Sequence, residues 1–297
     1  SESNCPKISF LKLEIDQVPE TYKNSLDNYF LDLGLNKNNF FTDVSNYLSY
    51  ETGQPTHCYD AKKMDGKLLF HEIEKSEEFE TLLDKKITLS GKNSVFSLNN
   101  KIINLAGIVG GKSTSCSTNT KTVIVECAFF QPEAIIGKSV KYDIQSEASH
   151  KFERGVDPDC HDRVLRRFIK LVSEHANIKD MSIISYKSKD NPITQMPVNV
   201  GKINQIIGIN ISEKEYLSYL SKLGFIVEEG LIEVPSFRSD VKTQNDLAEE
   251  VARVIGYDNI ATLEISIPKK EKTNHKAIEN KLRFFLLDHG FYEVINS

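Results

Sequence analysis

The stretch VIVECAFF, residues 123–130, reads as a buried β-strand interrupted by a single charge, Glu126. Its β-branched and aromatic residues suit a pleated, covered surface. A lone carboxylate among apolar neighbours is costly unless paired, and such residues often serve a site. Two readings stand side by side: a carboxylate that works in a site, or one held by a salt bridge or by hydrogen bonds to a backbone turn.

Upstream, GQPTHCYD (residues 53–60) sets His57, Cys58, Tyr59 and Asp60 after a Gly-Gln-Pro corner. In an extended segment His57 and Cys58 point to opposite faces, which weighs against a thiol–imidazole pair acting together. No second pair of ligands lies at finger-like spacing, so zinc is disfavoured. By itself His57 reads as a satisfied loop histidine. LAGIVGGKS (105–113) comes within one residue of the phosphate-loop pattern, with Ala106 in place of the first glycine. That motif needs a helix after it to face the phosphates. The STSCSTNTK that follows has no helical stripe, so a tight glycine turn between strands is the better reading. Such a turn can bring bare backbone close to a ligand.

Further along, SHKFERGVDPDCHDRVLRRFIK (149–170) predicts a helix starting at Pro158 with Asp157 as its cap. Val164, Leu165 and Phe168 face inward, which leaves Arg163, Arg166, Arg167 and Lys170 for solvent or phosphate, solvent being favoured. SYKSKDNPITQMP (185–197) is polar and aperiodic and reads as a linker. Beyond it, ISEKEYLSYLSKLG (211–224) carries the capping box Ser212–Glu215, and FIVEEGLIEV (225–234) a hairpin about Glu229-Gly230. TQNDLAEEVARVIG (243–256) is a further capped helix. Together these predict a small winged-helix-like unit. Asp246, Glu249 and Glu250 share one face of that last helix, with Asp240 just before it. Like charges so spaced repel, and a hard cation such as Mg²⁺ would offset the repulsion. The alternative is acidic residues favouring a helix amino terminus. The closing NHKAIENKLRFFLLDHGFYEVINS reads as a helix and a partnerless strand, as expected of a piece cut from a longer chain.

The 297 residues suit two or three domains, and 39% hydrophobic with 27% charged residues suits an ordinary globular protein. A net charge of −5 argues against a surface coated for nucleic acid, so such a partner would need local patches or another subunit. The five cysteines form no C-x-x-C pair, which suits free thiols in a reducing compartment. No apolar run is long enough for a membrane span, and no basic head leads into an apolar stretch at the amino terminus. The expectation is a cytoplasmic protein without membrane contact.

GQPTHCYD, LAGIVGGKS, VECAFFQP, SEASHKFERGVDP and PSFRSDV…NDLAEEVARVIGYDNI, in this order, closely resemble bacterial-type phenylalanyl-tRNA synthetase β subunits from about residue 5 onward. The resemblance implies an α+β protein. Its parts would be a mixed α/β editing domain with a β-sandwich-like core (1–185), a linker (186–197), a winged-helix-like domain (198–262), and the truncated start of an inactive class II synthetase-like module (263–297). It implies hydrolysis of tyrosine wrongly joined to tRNA(Phe). Glu126 would accept the phenol proton in an editing pocket walled by Ala106 and Gly107. His57 and Ser45, the latter where the family usually has threonine, would orient the ribose, the ester or the attacking water. It also implies Mg²⁺ on Asp240, Asp246, Glu249 and Glu250 at a site shared with the α subunit. In the intact α₂β₂ enzyme, which charges tRNA(Phe) with phenylalanine, ATP is used at an active site on that α subunit. Two rival readings are a non-catalytic scaffold for the α subunit and tRNA, and a phosphate-loop nucleotide binder.

Overall fold

The structure, a computed structural model, describes residues 4–188, 193–262 and 276–295. The chain opens with β1 (Lys7–Ile15), α1 (Asn24–Asp32), α2 (Phe40–Thr52) and β2 (Thr56–Asp60). A run of short strands follows: β3 (Leu68–Ile73), β4 (Glu77–Glu80), β5 (Lys86–Leu89), β6 (Asn93–Leu98), β7 (Lys101–Leu105) and β8 (Val109–Gly110). Then come β9 (Thr122–Phe129), α3 (Pro132–Ile135), α4 (Lys138–Tyr142), α5 (Glu147–Arg154), α6 (His161–Ser173) and β10 (Ile178–Lys187). The VIVECAFF stretch is therefore β9. It lies inside a four-stranded antiparallel sheet of order β10-β1-β9-β2.

Side-chain alternation along β9 divides the core in two. Val123, Val125 and Cys127 join Leu11 and Leu13 of β1 against the buried faces of α2 and α6. The intervening residues, with Ile8 of β1 and Tyr59 of β2, turn toward a second antiparallel sheet of order β3-β6-β7-β8. Two sheets face each other and helices back the first, so a strand covered on both sides is what β9 has to be.

The corner at residues 53–55 joins these layers. Gly53 ends α2 in the left-handed conformation (φ 77°), which spares a side chain the strain there. Gln54 is buried, and its Nε2 donates to the carbonyls of Pro55 and Ala128 at 3.0 and 2.9 Å. The Cys160 thiol donates to its Oε1 at 3.4 Å. One amide thus ties β2, β9 and the start of α6 together.

Two expectations need correction here. The basic helix begins at His161, not at Pro158. Asp157 instead accepts from the Asp159 N–H at 2.9 Å and from Ser236 Oγ at 2.7 Å, so it closes a turn and joins the two domains. The predicted linker also contains ladder residues. β10 runs to Lys187, and β11 (Gln195–Pro197) pairs with β13 (Leu231–Glu233). β10 is an edge strand with exposed residues on both faces, so no alternation marks it. In β11 only Met196 is buried, and an edge position tolerates Pro197.

The second domain holds α7 (Val200–Ile207), α8 (Glu213–Lys222), β12 (Ile226–Glu228), β13 (Leu231–Glu233) and α9 (Gln244–Ile255). Both capping boxes form, Ser212–Glu215 on α8 and Thr243–Asp246 on α9. Glu229 and Gly230 both have positive φ (50° and 77°), as a tight hairpin of this hand requires. In the last stretch α10 (Ala277–Asp288) forms, but residues 291–295 do not form the expected strand. A strand needs a ladder partner, and none among the described residues lies beside these. Residues 263–275 fall outside the described part.

Gln54→Ala leaves buried carbonyls without their donor, at about 1–3 kcal/mol each. Urea denaturation is expected to show a loss of about 2–6 kcal/mol for the two carbonyls together, larger than for alanine at an exposed glutamine.

Candidate functional site

In the β2–β9 ladder His57 stands directly opposite Glu126, on the face away from the helices. Cys58 turns into the helix-side core and donates to the Phe41 carbonyl at 3.4 Å, so thiol and imidazole are separated by the sheet. Asp60 caps the short turn after β2 and accepts from Thr120 Oγ1 at 2.8 Å. Of these four residues, His57 and Tyr59 share the Glu126 face.

Between the sheets lies a slot of about 60 Å³, lined among others by Thr56, His57, Asn104, Gly107, Gly110 and Glu126. Ala148 and Phe152 of α5 flank it. Nucleotide-sized ligand sites run to roughly 300–1,000 Å³, so this one admits little more than the end of a side chain as it stands. The glycine turn forms one wall. Gly107 has φ +72°, and a Cβ there would fall 2.6 Å from Ile135 Cδ1. A Cβ on Gly110 would fall 2.2 Å from His57 Cε1, so bare backbone is what makes room for the imidazole.

Glu126 is buried, yet it has no cationic partner among the described residues. Tyr59 Oη donates to its Oε2 at 2.5 Å. Asn104 Nδ2 donates to Tyr59 Oη at 2.7 Å and, more loosely, to Oε2 at 3.5 Å. No hydrogen bond among the described residues reaches Oε1. Burial raises the carboxyl pKa to about 7, and the Tyr59 hydrogen bond pulls the other way. Burial likewise lowers His57 to about 4, so its imidazole is neutral at physiological pH. His57 Nε2 is buried without a hydrogen-bond partner, and its ring meets Tyr59 edge-on at 4.5 Å between centroids. An acceptor oxygen and an imidazole nitrogen, both unengaged, therefore share one narrow slot of mixed polar and apolar lining.

Ser45 and Ala106 stand one step back. Ser45, on α2, donates to the Thr56 carbonyl at 2.8 Å and lies 2.7 Å from Thr56 Oγ1, so it reaches the slot through Thr56. Ala106 is buried in the inter-sheet core, and its N–H donates to the Ser94 carbonyl. Tyr59, Asn104, Gly110 and Thr56 belong to the site without having been singled out in the sequence. Signals for two were present: Tyr59 sits two residues from His57 on a strand, and Asn104 interrupts the apolar run KIINL.

The phosphate-loop reading fails on geometry. Val109–Gly110 is a strand, only a three-residue 3₁₀ turn (Lys112–Thr114) follows, and Lys112 pairs with Asp84 and Glu80 at 2.5 and 3.4 Å. The arginines of α6 also have partners. Arg167 forms a two-bond fork with Glu51 at 2.7 Å for each bond, Arg166 pairs with Asp162, and Arg163 with Asp157.

The four carboxylates expected to hold Mg²⁺ do not form a ligand set within this chain. Arg238 donates to Asp240 at 2.9 and 2.6 Å and to Glu250 at 2.9 and 2.7 Å. Arg253 adds a bond to Glu250 at 2.9 Å. Asp246 accepts from the N–H groups of Lys242 and Thr243 and from Thr243 Oγ1, while Glu249 is exposed. The Arg238 hydrogen bonds hold Asp240 and Glu250 below the usual carboxylate range. Among the described residues no three His, Cys, Asp or Glu side chains gather as a metal site. The repulsion read from the spacing is relieved by a guanidinium from the preceding loop and by helix capping.

Comparison with known proteins follows the same division. Residues 11–177 match the B3/4 domain family, and residues 196–257 match the tRNA synthetase B5 domain. The phenylalanine–tRNA ligase β subunit of Ehrlichia canis (strain Jake) is 34% identical over 311 aligned positions, covering 99% of this chain and 39% of that protein. That of Psychrobacter arcticus is 30% identical over 303, covering 98% and 37%. The chain belongs to the B3/4 domain family, with a tRNA synthetase B5 domain following, and spans under two fifths of the length of these phenylalanine–tRNA ligase β subunits. A solved amino-terminal fragment of the Pyrococcus horikoshii phenylalanyl-tRNA synthetase β subunit aligns over 86% of this chain and 72% of that one. Its TM-score is 0.39 at 13% identity, too distant for residue-level argument. No helix among the described residues is long and apolar enough to cross a membrane.

The two pKa shifts in the slot oppose each other in stability. Glu126, raised from 4.5 to about 7, keeps its proton in the folded state after the unfolded chain has lost it, so stability falls as pH rises through that window. His57, lowered from 6.5 to about 4, contributes stability above 6.5 that is lost as pH falls toward 4. Glu126→Gln removes the first slope only. Its stability relative to the parent is expected to improve between pH 5 and pH 8 in urea denaturation, and an unchanged difference would contradict the burial of Glu126.

Proposed function

We propose that the B3/4 slot is a proofreading site, in which tyrosine wrongly joined to tRNA(Phe) is recognised and its ester hydrolysed. The intact enzyme would be an α₂β₂ phenylalanine–tRNA ligase of the cytoplasm, charging tRNA(Phe) with phenylalanine at an ATP-using site on the α subunit. The observation that carries the reading is the unengaged Oε1 of a buried Glu126 opposite the unengaged Nε2 of His57.

The physical need for such a site is clear. A pocket shaped for phenylalanine rejects tyrosine only weakly, because tyrosine merely adds a hydroxyl. A second site that hydrogen-bonds the hydroxyl has the opposite preference. Tyrosine would donate its phenol proton to Glu126 Oε1, whereas phenylalanine would leave a desolvated carboxylate without that partner. A hydrogen bond to a charged group is worth about 1.5–3 kcal/mol, or roughly ten- to 150-fold in preference.

In the hydrolytic step water attacks the ester carbonyl carbon, the acyl C–O bond to ribose breaks as the ribose oxygen takes up one of the water's protons, and tyrosine leaves as its carboxylate with the other proton passing to solvent. With a pKa near 4, His57 is a weak base, so its part is to orient water or the ribose by hydrogen bonding. Ser45 acts through Thr56 by fixing the entry of β2. Asp240, Asp246 and Glu250 are engaged by partners within this chain and Glu249 is exposed, and no step is routed through Mg²⁺.

In the assembled α₂β₂ enzyme, Glu126→Ala is expected to slow deacylation of Tyr-tRNA(Phe) by about ten- to 100-fold and to erase its advantage over Phe-tRNA(Phe). His57→Ala should slow both substrates about equally. Unchanged rate and preference in Glu126→Ala would overturn the assignment.

A further inference from the structure

Glu126 could turn either oxygen to the slot, yet only one is free. Tyr59 and Asn104 come from different sheets, on β2 and β7, and both are buried. Asn104 donates to Tyr59 at 2.7 Å, which commits the Tyr59 proton to Glu126 Oε2 at 2.5 Å. Both side chains therefore spend their donors in one direction, along a chain that ends on Oε2. The geometry points to Tyr59 and Asn104 as a positioning pair that reserves Oε1 of Glu126 for the incoming side chain and thereby sets the slot's preference for a hydroxylated ring.

This inference rests on the reading of Glu126 as the group that tests the substrate. It adds a consequence about protons. Oε2 already accepts hydrogen bonds, so the proton taken up on acidification goes to Oε1. Protonated Oε1 is a donor where the phenol needs a charged acceptor, so selectivity falls as the ionised fraction of Glu126 falls. The titratable groups around the carboxylate are His57 and Tyr59 on β2 and Cys5 ahead of β1, with Cys58 and Cys127 turned to the other face of the sheet. Burial pushes the Cys5 and Cys58 thiols and the Tyr59 phenol up and the imidazole down, and a hydrogen bond with Cys160, together with burial, pushes Cys127 up, so all are neutral near pH 7. Glu126 is the group left to titrate, with its pKa at about 7.

The test uses the assembled α₂β₂ enzyme and the ratio of deacylation rates for Tyr-tRNA(Phe) and Phe-tRNA(Phe), from pH 6 to 8.5, after subtraction of spontaneous hydrolysis. In the parent the preference for tyrosine should rise with a midpoint near pH 7. Tyr59→Phe deletes one hydroxyl and a hydrogen bond to the charged form, so the midpoint should move up by about one unit. At pH 7 that takes the ionised fraction from half to about a tenth, a roughly fivefold loss of preference that recovers by pH 8.5. Asn104→Ala should move the midpoint the same way by less, and serves if Tyr59→Phe does not fold. An unmoved midpoint with preference intact, or a loss equal at every pH, overturns the positioning role. If Glu126→Ala itself keeps the parent's preference, the reading beneath it fails instead.

Discussion

The buried hydrogen bond from Tyr59 to Glu126 is the constraint on which the rest of the first domain turns. A carboxylate at the middle of an inner strand, without a cation beside it, is tolerated only if its lone pairs are supplied with donors. Tyr59 can supply one because β2 lies beside β9 in register, and that register follows from the corner at Gly53-Gln54-Pro55. Asn104 reaches the same oxygen only because the second sheet packs on this face of the first. The chain from helix cap to strand register to inter-sheet packing therefore ends at one oxygen held and one left open.

The same economy of donors governs the second domain with a different result. The carboxylates before and along α9 are all exposed to mutual repulsion by their spacing, yet Arg238 and the Thr243 capping box absorb it locally. A fork-shaped guanidinium suits two carboxylates better than a point charge does, since it satisfies direction as well as charge. A cation at this place would have to displace Arg238 from both Asp240 and Glu250.

Much of this was legible in the residues. The buried-strand character of 123–130, the opposite facing of His57 and Cys58, the Ser212–Glu215 capping box, the capped start of α9 and the Glu229-Gly230 hairpin follow from local periodicity and turn chemistry, which act over a few residues. The α6 start, β10 and β11 were not legible. An exposed edge strand has no buried face to imprint alternation, and Asp157 closes a turn that looks like a cap until its partner Ser236, 79 residues away, is known. The slot was legible only in part for the same reason. Glu126 and His57 are unusual where they stand, whereas Tyr59, Asn104 and Gly110 become meaningful only when two sheets bring them together. Ser45 is the converse case, a residue pointed to by resemblance whose hydroxyl bonds Thr56 rather than lining the slot itself.

The central claim is that Glu126 Oε1 reads the para position of the bound ring. The measurement that tests it most directly is a structure of the protein with a non-hydrolysable 3′-tyrosylamino-adenosine bound. The account predicts the phenol oxygen within about 3 Å of Oε1, with Tyr59 still bonded to Oε2 and the linkage beside His57 Nε2. A ring bound elsewhere, or in the slot with its hydroxyl turned away from Glu126, would contradict it.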